Sequence, residues 1–477
     1  MKRVLALILS VVMVLGITGC GGEKNTDSSD IPVLKWYVPG DNYPGLSEVL
    51  EEANKISVEK IGAKVDLQFI DTGAFDERMR MIMASGENYD LCFTGYINKY
   101  VKAARMGGLE PLEELLETTP ALKESIPQFF WDGATVDGTI YAVPNQQIAA
   151  GYFVATVPKR LADKYNLDVD SITDYPQLEP FMAAVKEGEP EIYPWRNANA
   201  YFTIGAQYEE LLAGFGIKRG TDKPEVVFID EQPEWIARMN LRHEWFNKGY
   251  IRPDVVSVGN DTTDYLAGKY AINISSYKPG CEINFENTIG EPVVVTKNIG
   301  KPYIKQSNIT STFIGISRNS KNKEKAIKLI ELLNTDKEYY NMICFGLEGK
   351  HYTKIDENTI KFVENSNYKP DAAWKFGNQF NAFVTEGMPA DVWEQTRKLN
   401  DEAELSPLLG FITDTSKIET EISQCETVRK QYGFAYFMGA QKVDASYDEY
   451  IKRMKEAGAE KIVAEMQRQI DEFLAAK

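Results

Sequence analysis

Residues 33–38 form a β-type run of mostly apolar residues, and a Pro-Gly-Asp-Asn-Tyr-Pro loop at 39–44 follows it. Leu46, Val49, Leu50, Ala53, Ile56 and Ile61 then recur at helical spacing up to Gly62. The first run predicts a strand and the second an amphipathic helix closed by glycine. Val65, Leu67 and Phe69 alternate as a second strand, residues 75–84 return to helical spacing, and residues 89–93 read as a third strand. Strands alternating with helices in this way build a parallel sheet through right-handed crossovers. Such open sheets bind ligands at the carboxyl ends of their strands, which singles out the loops 39–44 and 94–96.

Between residues 152 and 308, helical stretches such as 235–246 mix with short strands at 226–229, 270–274 and 292–295, a second α/β lobe. Residues 312–317 read as a strand that runs into a helix with Ala326, Ile327, Ile330 and Leu333 on one face. Near the end, Ser446 and Glu449 have the spacing of a capping box, and Ile462, Val463, Met466, Ile470, Phe473 and Leu474 line one helical face.

The N-terminus reads differently. Met1-Lys2-Arg3 precedes an apolar stretch at 4–17 that ends in Thr18-Gly19-Cys20. This is the pattern of a secretory signal, and it falls short of the ~20 residues a membrane-crossing helix needs. Ile17-Thr18-Gly19-Cys20 resembles a bacterial lipobox, so residues 1–19 are expected to be removed and Cys20 to carry lipid. Residues 20–30 have nothing apolar to bury and are expected to form a flexible tether. The expected location is the extracytoplasmic face of the cell membrane.

Composition mainly excludes. The 53 basic and 70 acidic residues leave a formal net charge of −17, which disfavours nucleic acid and anionic substrates. Cys92, Cys281, Cys344 and Cys425 are scattered among apolar neighbours, as buried thiols are. Only His243 and His351 occur, without metal-ligand spacing, so no metal and no cofactor is expected. Gly214, Gly216 and Gly220 lack phosphate-loop spacing, and a helix is expected before them.

Several stretches carry a family resemblance. Gly138, Tyr141, Pro144 and Asn145 resemble the segment leading to the first hinge crossing in the extracellular solute-binding proteins of carbohydrate ABC importers, the two-lobed maltodextrin-binding type. Tyr152 to Ala155 then resemble the start of its second lobe, and Gly268 to Ile272 one of its strands. Phe313 to Ser317 with Lys325 to Ile330 resemble the return hinge and the helix after it. A narrower likeness, carried by residues 348–352, 377–381, 408–411 and 432–433, is to the lipoprotein LipO-like group with its C-terminal domain of unknown function. The resemblance implies an α/β, periplasmic-binding-protein-like fold of type II: two lobes, each a mostly parallel sheet flanked by helices, with extra C-terminal helices. On this reading lobe 1 spans 31–148 plus about 317–365, and lobe 2 spans 149–316 plus about 366–477. It further implies a monomer, not an enzyme, that closes two lobes over a carbohydrate and delivers it to ABC permease subunits.

A sugar offers hydroxyls and apolar ring faces, so its site combines aromatic rings with amides and carboxylates. Trp36, Tyr37, Asp41, Asn42 and Tyr43 lie at the end of the first predicted strand, and Tyr96 at the end of the third. Asn145 and Gln146 adjoin the hinge, Trp195 and Arg196 sit in a Pro-flanked polar loop, and Trp374 precedes the amides Asn378 and Gln379. These residues are the expected ligand contacts, with Trp195 and Trp374 as stacking platforms. An oligopeptide carrier and a surface-anchored glycoside hydrolase using two carboxylates are the alternatives.

Overall fold

The strand Val33–Pro39 pairs in parallel with Lys64–Ile70 on one side and Leu91–Gly95 on the other. The computed structural model from which this register is taken describes residues 31–196, 207–221, 223–297 and 299–477. The helix Leu46–Ile61 turns Val49, Ala53, Ser57 and Ile61 inward, one residue per turn. It ends where Gly62, at φ 64°, donates its N–H to the Val58 carbonyl. That left-handed conformation is one a glycine adopts without a Cβ penalty.

The first sheet is completed by Thr312–Ile316 and Ala142–Pro144, in the order Lys64–Ile70, Val33–Pro39, Leu91–Gly95, Thr312–Ile316, Ala142–Pro144. Thr312–Ile316 runs antiparallel to both its neighbours. This corrects the expected lobe boundary near residue 316: the strand belongs wholly to lobe 1. All five of its residues are buried, and a strand covered on both faces carries no alternation to say which sheet takes it. The boundary near residue 365 also moves. Phe376 and Ala382 lie in the first core, with Trp374, Trp393 and Leu399 packed against it.

In the second lobe the sheet order is Val293–Val295, Phe153–Pro158, Tyr270–Ser276, Tyr193–Trp195, and Phe153–Pro158 alone runs against the others. A three-stranded antiparallel meander stands beside it, in which Tyr208–Leu212 precedes Gly214. The segment before that glycine is thus a strand, not the expected helix. The helices Glu419–Val428, Phe434–Phe437, Ala445–Glu456 and Ala459–Ala476 finish the second core with Tyr436, Tyr450, Met454, Ile462, Met466 and Ile470. At their centre Arg429, in a single π-helical turn, forms a buried ion pair with Asp230 at 2.8 Å, and the Tyr450 hydroxyl donates to the same carboxylate. The helix Ala445–Glu456 is capped by Asp444, whose carboxylate accepts from the Ser446 N–H. Asp444 thus takes the place of the expected Ser446 cap, since its side chain reaches the first turn from outside the helix.

Three chain crossings join the lobes. Gly151 and Tyr303 exchange backbone hydrogen bonds at 2.9 and 3.2 Å, and Tyr303–Ile304 pairs in parallel with Glu404–Leu405. Beneath this ribbon the Glu209 carboxylate accepts from the hydroxyls of Tyr303 and Ser406, at 2.7 and 2.6 Å.

Candidate functional site

At the carboxyl end of the first sheet, Tyr96 follows Leu91–Gly95 and stands 54 % exposed. Its ring lies 6.2 Å from that of the half-buried Trp374, and both pack against Phe93. Trp374 is held from behind: the Asn145 side-chain amide donates to its carbonyl at 3.1 Å, while the Asn145 N–H donates to Thr312 O at 3.0 Å. The Asn145 Oδ1 is buried with no hydrogen-bond partner among the described residues. Gln146 extends the connection, taking the Gly377 carbonyl and accepting from the Gln379 N–H, each at 2.9 Å. Lys375 adjoins the same indole, with its ammonium 5.1 Å from the ring centroid and 2.7 Å from the Pro39 carbonyl. Burial holds that ammonium's pKa below the usual lysine value, while the Asp41 carboxylate pulls the other way.

Tyr152 and Tyr277 form a second aromatic pair in the other lobe, with centroids 4.8 Å apart, where Phe153–Pro158 begins and Tyr270–Ser276 ends. The Tyr277 N–H donates to the Tyr152 carbonyl at 2.9 Å. Sequence reasoning passed over these tyrosines and Lys375. Tyr277 follows a predicted strand and Tyr152 a predicted hinge, so for both the position was readable. Lys375 gave no signal, because its burial depends on a loop more than 300 residues earlier.

Several expected contacts are corrected. Trp36 is fully buried under Phe376, and Tyr37 turns to Tyr89 and Glu87, because a central strand directs both its faces into the core. Tyr43 is wedged between Phe69 and Tyr368, while Asp41 and Asn42 stay exposed on the loop. Trp195 is no platform. It is 1 % exposed and packs on Tyr175 and Trp245 inside the second lobe. Arg196 is locked by Asp261 at 2.6 Å and by Asn273 at 3.1 Å, and it lies over the Tyr265 ring. Asn378 bonds its own turn through the Phe380 N–H and donates to Asn334 O. Of the expected residues, the structure brings together Tyr96, Trp374, Asn145, Gln146 and the backbone of Gln379.

Two α/β lobes joined by three crossings, with aromatic pairs at the strand ends of each, define the class of hinged solute-binding proteins. The chain belongs to the bacterial extracellular solute-binding proteins, whose family model matches residues 41–340. A domain of unknown function, DUF3502, matches residues 407–475. A carbohydrate ABC transporter substrate-binding protein of Streptococcus pneumoniae serotype 4 is 32 % identical over 98 % of this chain and 97 % of its own. The crystal structure of the N-glycan transport solute-binding protein NgtS from Streptococcus pneumoniae superposes with a TM-score of 0.81 at 30 % identity, covering 93 % of this chain and 99 % of that one. An HMO-binding, ABC-transporter-associated solute-binding protein from Bifidobacterium longum infantis shares the fold at a TM-score of 0.68 and 17 % identity, over 93 % and 99 % of the two chains.

Proposed function

We propose that this protein is the carbohydrate-capturing subunit of an ABC importer. An oligosaccharide docks by an apolar ring face on Trp374 and Tyr96, and the Tyr152–Tyr277 pair closes onto it from the other lobe. The observation that carries this reading is the Tyr96–Trp374 pair, an exposed ring beside a half-buried one at a strand end, with a buried amide behind it. Exposed aromatic surface of this kind costs solvation in the empty protein and is useful where a flat apolar ligand covers it. The relatives support the sugar class: NgtS has been crystallised with Man1GlcNAc and with Man5GlcNAc.

The same reading places the protein outside the cytoplasm as a monomer, held to the membrane by lipid on Cys20, where the permease subunits take the closed form. Hinge closure lets the permease distinguish loaded from empty protein, because a ligand that contacts both lobes biases the closed state. Calorimetry of the mature chain against a panel of maltotriose, mannotriose, di-N-acetylchitobiose and lacto-N-tetraose, with chromatography of the sugars afterwards, tests this directly. Binding with every sugar recovered intact is the expected result. Failure of all four to bind, or hydrolysis of any, overturns the reading.

A further inference from the structure

Lys375 is 8 % exposed, and an ammonium taken out of water is costly unless it is paired and fully bonded. It has three N–H donors and no acceptor capacity. One donor goes to the Pro39 carbonyl, the last of the strand Val33–Pro39, at 2.7 Å. Among the described residues no carboxylate lies within ion-pair distance of it, and Asp41 acts on it only from further away. One carbonyl and the face of the Trp374 indole, 5.1 Å away, are a small return for a buried positive charge. Groups held at such a cost concentrate where a protein binds or reacts. Asn145, whose side-chain amide donates to the main-chain carbonyl of Trp374, is 2 % exposed and has an Oδ1 with no partner among the described residues.

We propose that Lys375 is a specificity-determining residue, whose ammonium donates to an uncharged oxygen of the sugar unit lying on Trp374. The assignment rests on the sugar reading above and adds which chemistry the platform selects. Beside the indole stands a donor, Lys375, in the field of the Asp41 carboxylate. A neutral hydroxyl or acetamido oxygen supplies the acceptor without bringing a second negative charge to Asp41. A carboxylate also satisfies Lys375 but comes into the field of Asp41.

The test uses the mature protein, its Lys375→Met and Lys375→Gln variants, the neutral sugar of the panel that binds the parent tightest, and digalacturonate as the carboxylated probe. Lys375→Met should bind the neutral sugar at least tenfold more weakly while melting at the same temperature or higher without ligand, because a buried charge has been removed. Digalacturonate should bind the parent at least tenfold more weakly than the neutral sugar. If Lys375→Met binds as tightly as the parent, Lys375 only holds the Pro39 carbonyl and the assignment falls. If Lys375→Met loses binding and also melts lower, Lys375→Gln decides, since its amide keeps a donor: recovered affinity supports the assignment, and affinity as low as that of the Met variant overturns it. Digalacturonate binding as tightly as the neutral sugar overturns the selection for uncharged oxygen. A parent that binds no sugar of the panel removes the sugar reading and this assignment with it, whereas a failure confined to the variants removes this assignment alone.

Discussion

Trp374 and Trp195 carry the same side chain to opposite ends. The indole of Trp374 is half-buried and covers Phe93 at the edge of the first core, so Trp374→Ala should lower the melting temperature of the empty protein by less than a full core deletion does. Burying a large apolar side chain is worth roughly 1.5–3 kcal/mol, and about 1.4 kcal/mol is tenfold in affinity, so calorimetry should show at least a tenfold loss for the bound sugar. Trp195→Ala should do the reverse, lowering stability by about 3–5 kcal/mol as large core deletions do. The sequence around Trp374 showed an indole beside amides and pointed to a site, while the polar, Pro-flanked surroundings of Trp195 pointed to one falsely. What buries Trp195 is Tyr175 and Trp245, and a local window contains neither contact. Asp261 adds a dependence on pH. Burial alone would raise its carboxyl, yet hydrogen bonding and the charge of Arg196 bring it below the usual value. A depressed carboxylate stabilises the fold above its unfolded pKa and loses that contribution as pH falls through the folded one. Acid melts of the parent should therefore steepen below about pH 4, and Asp261→Asn should remove that part of the slope.

Between elements, the first hinge crossing is clamped by one side chain. The Asn400 amide oxygen accepts from the N–H groups of Ala149 and Ala150, both at 2.9 Å, and its nitrogen donates to the Gln147 carbonyl at 2.8 Å. Asn400→Ala leaves two backbone donors without a partner. At about 1 kcal/mol per net hydrogen bond it should cost roughly 2–3 kcal/mol of stability in denaturant melts. Distances between spin labels on the two lobes should also broaden in the absence of ligand. The helices of residues 419–476 depend in turn on Asp230, and Arg429→Ala should destabilise by about 3–5 kcal/mol, because it leaves a buried carboxylate with the Tyr450 hydroxyl but without its countercharge. Periodicity made most of these elements legible. It did not reveal their partners: Thr312–Ile316 finds Leu91–Gly95 across more than 200 residues, and a uniformly apolar strand names no neighbour. The Asn400 clamp was equally silent, since an asparagine near the end of a helix reads as an ordinary surface residue until the facing backbone is known.

On the scale of the whole molecule, closure about three short crossings should compact the protein, so small-angle scattering with a saturating sugar should give a smaller radius of gyration than without it. On the proposed lipid anchoring, Cys20→Ala should shift the protein from the membrane fraction to the medium while its melting curve is unchanged, because the described fold opens with the strand Val33–Pro39. The interleaving of the lobes also bears on how the chain comes to be folded at all. The first sheet lacks an interior strand until residue 316 is available, and the second core lacks a wall until the helix Ala459–Ala476 has formed. A polypeptide threaded outward from its N-terminus thus has no complete lobe on the far side until almost its whole length has passed. Its early segments emerge with apolar faces that only late segments can cover, so the order of threading, and not the pairing of neighbours, sets when this protein first becomes itself.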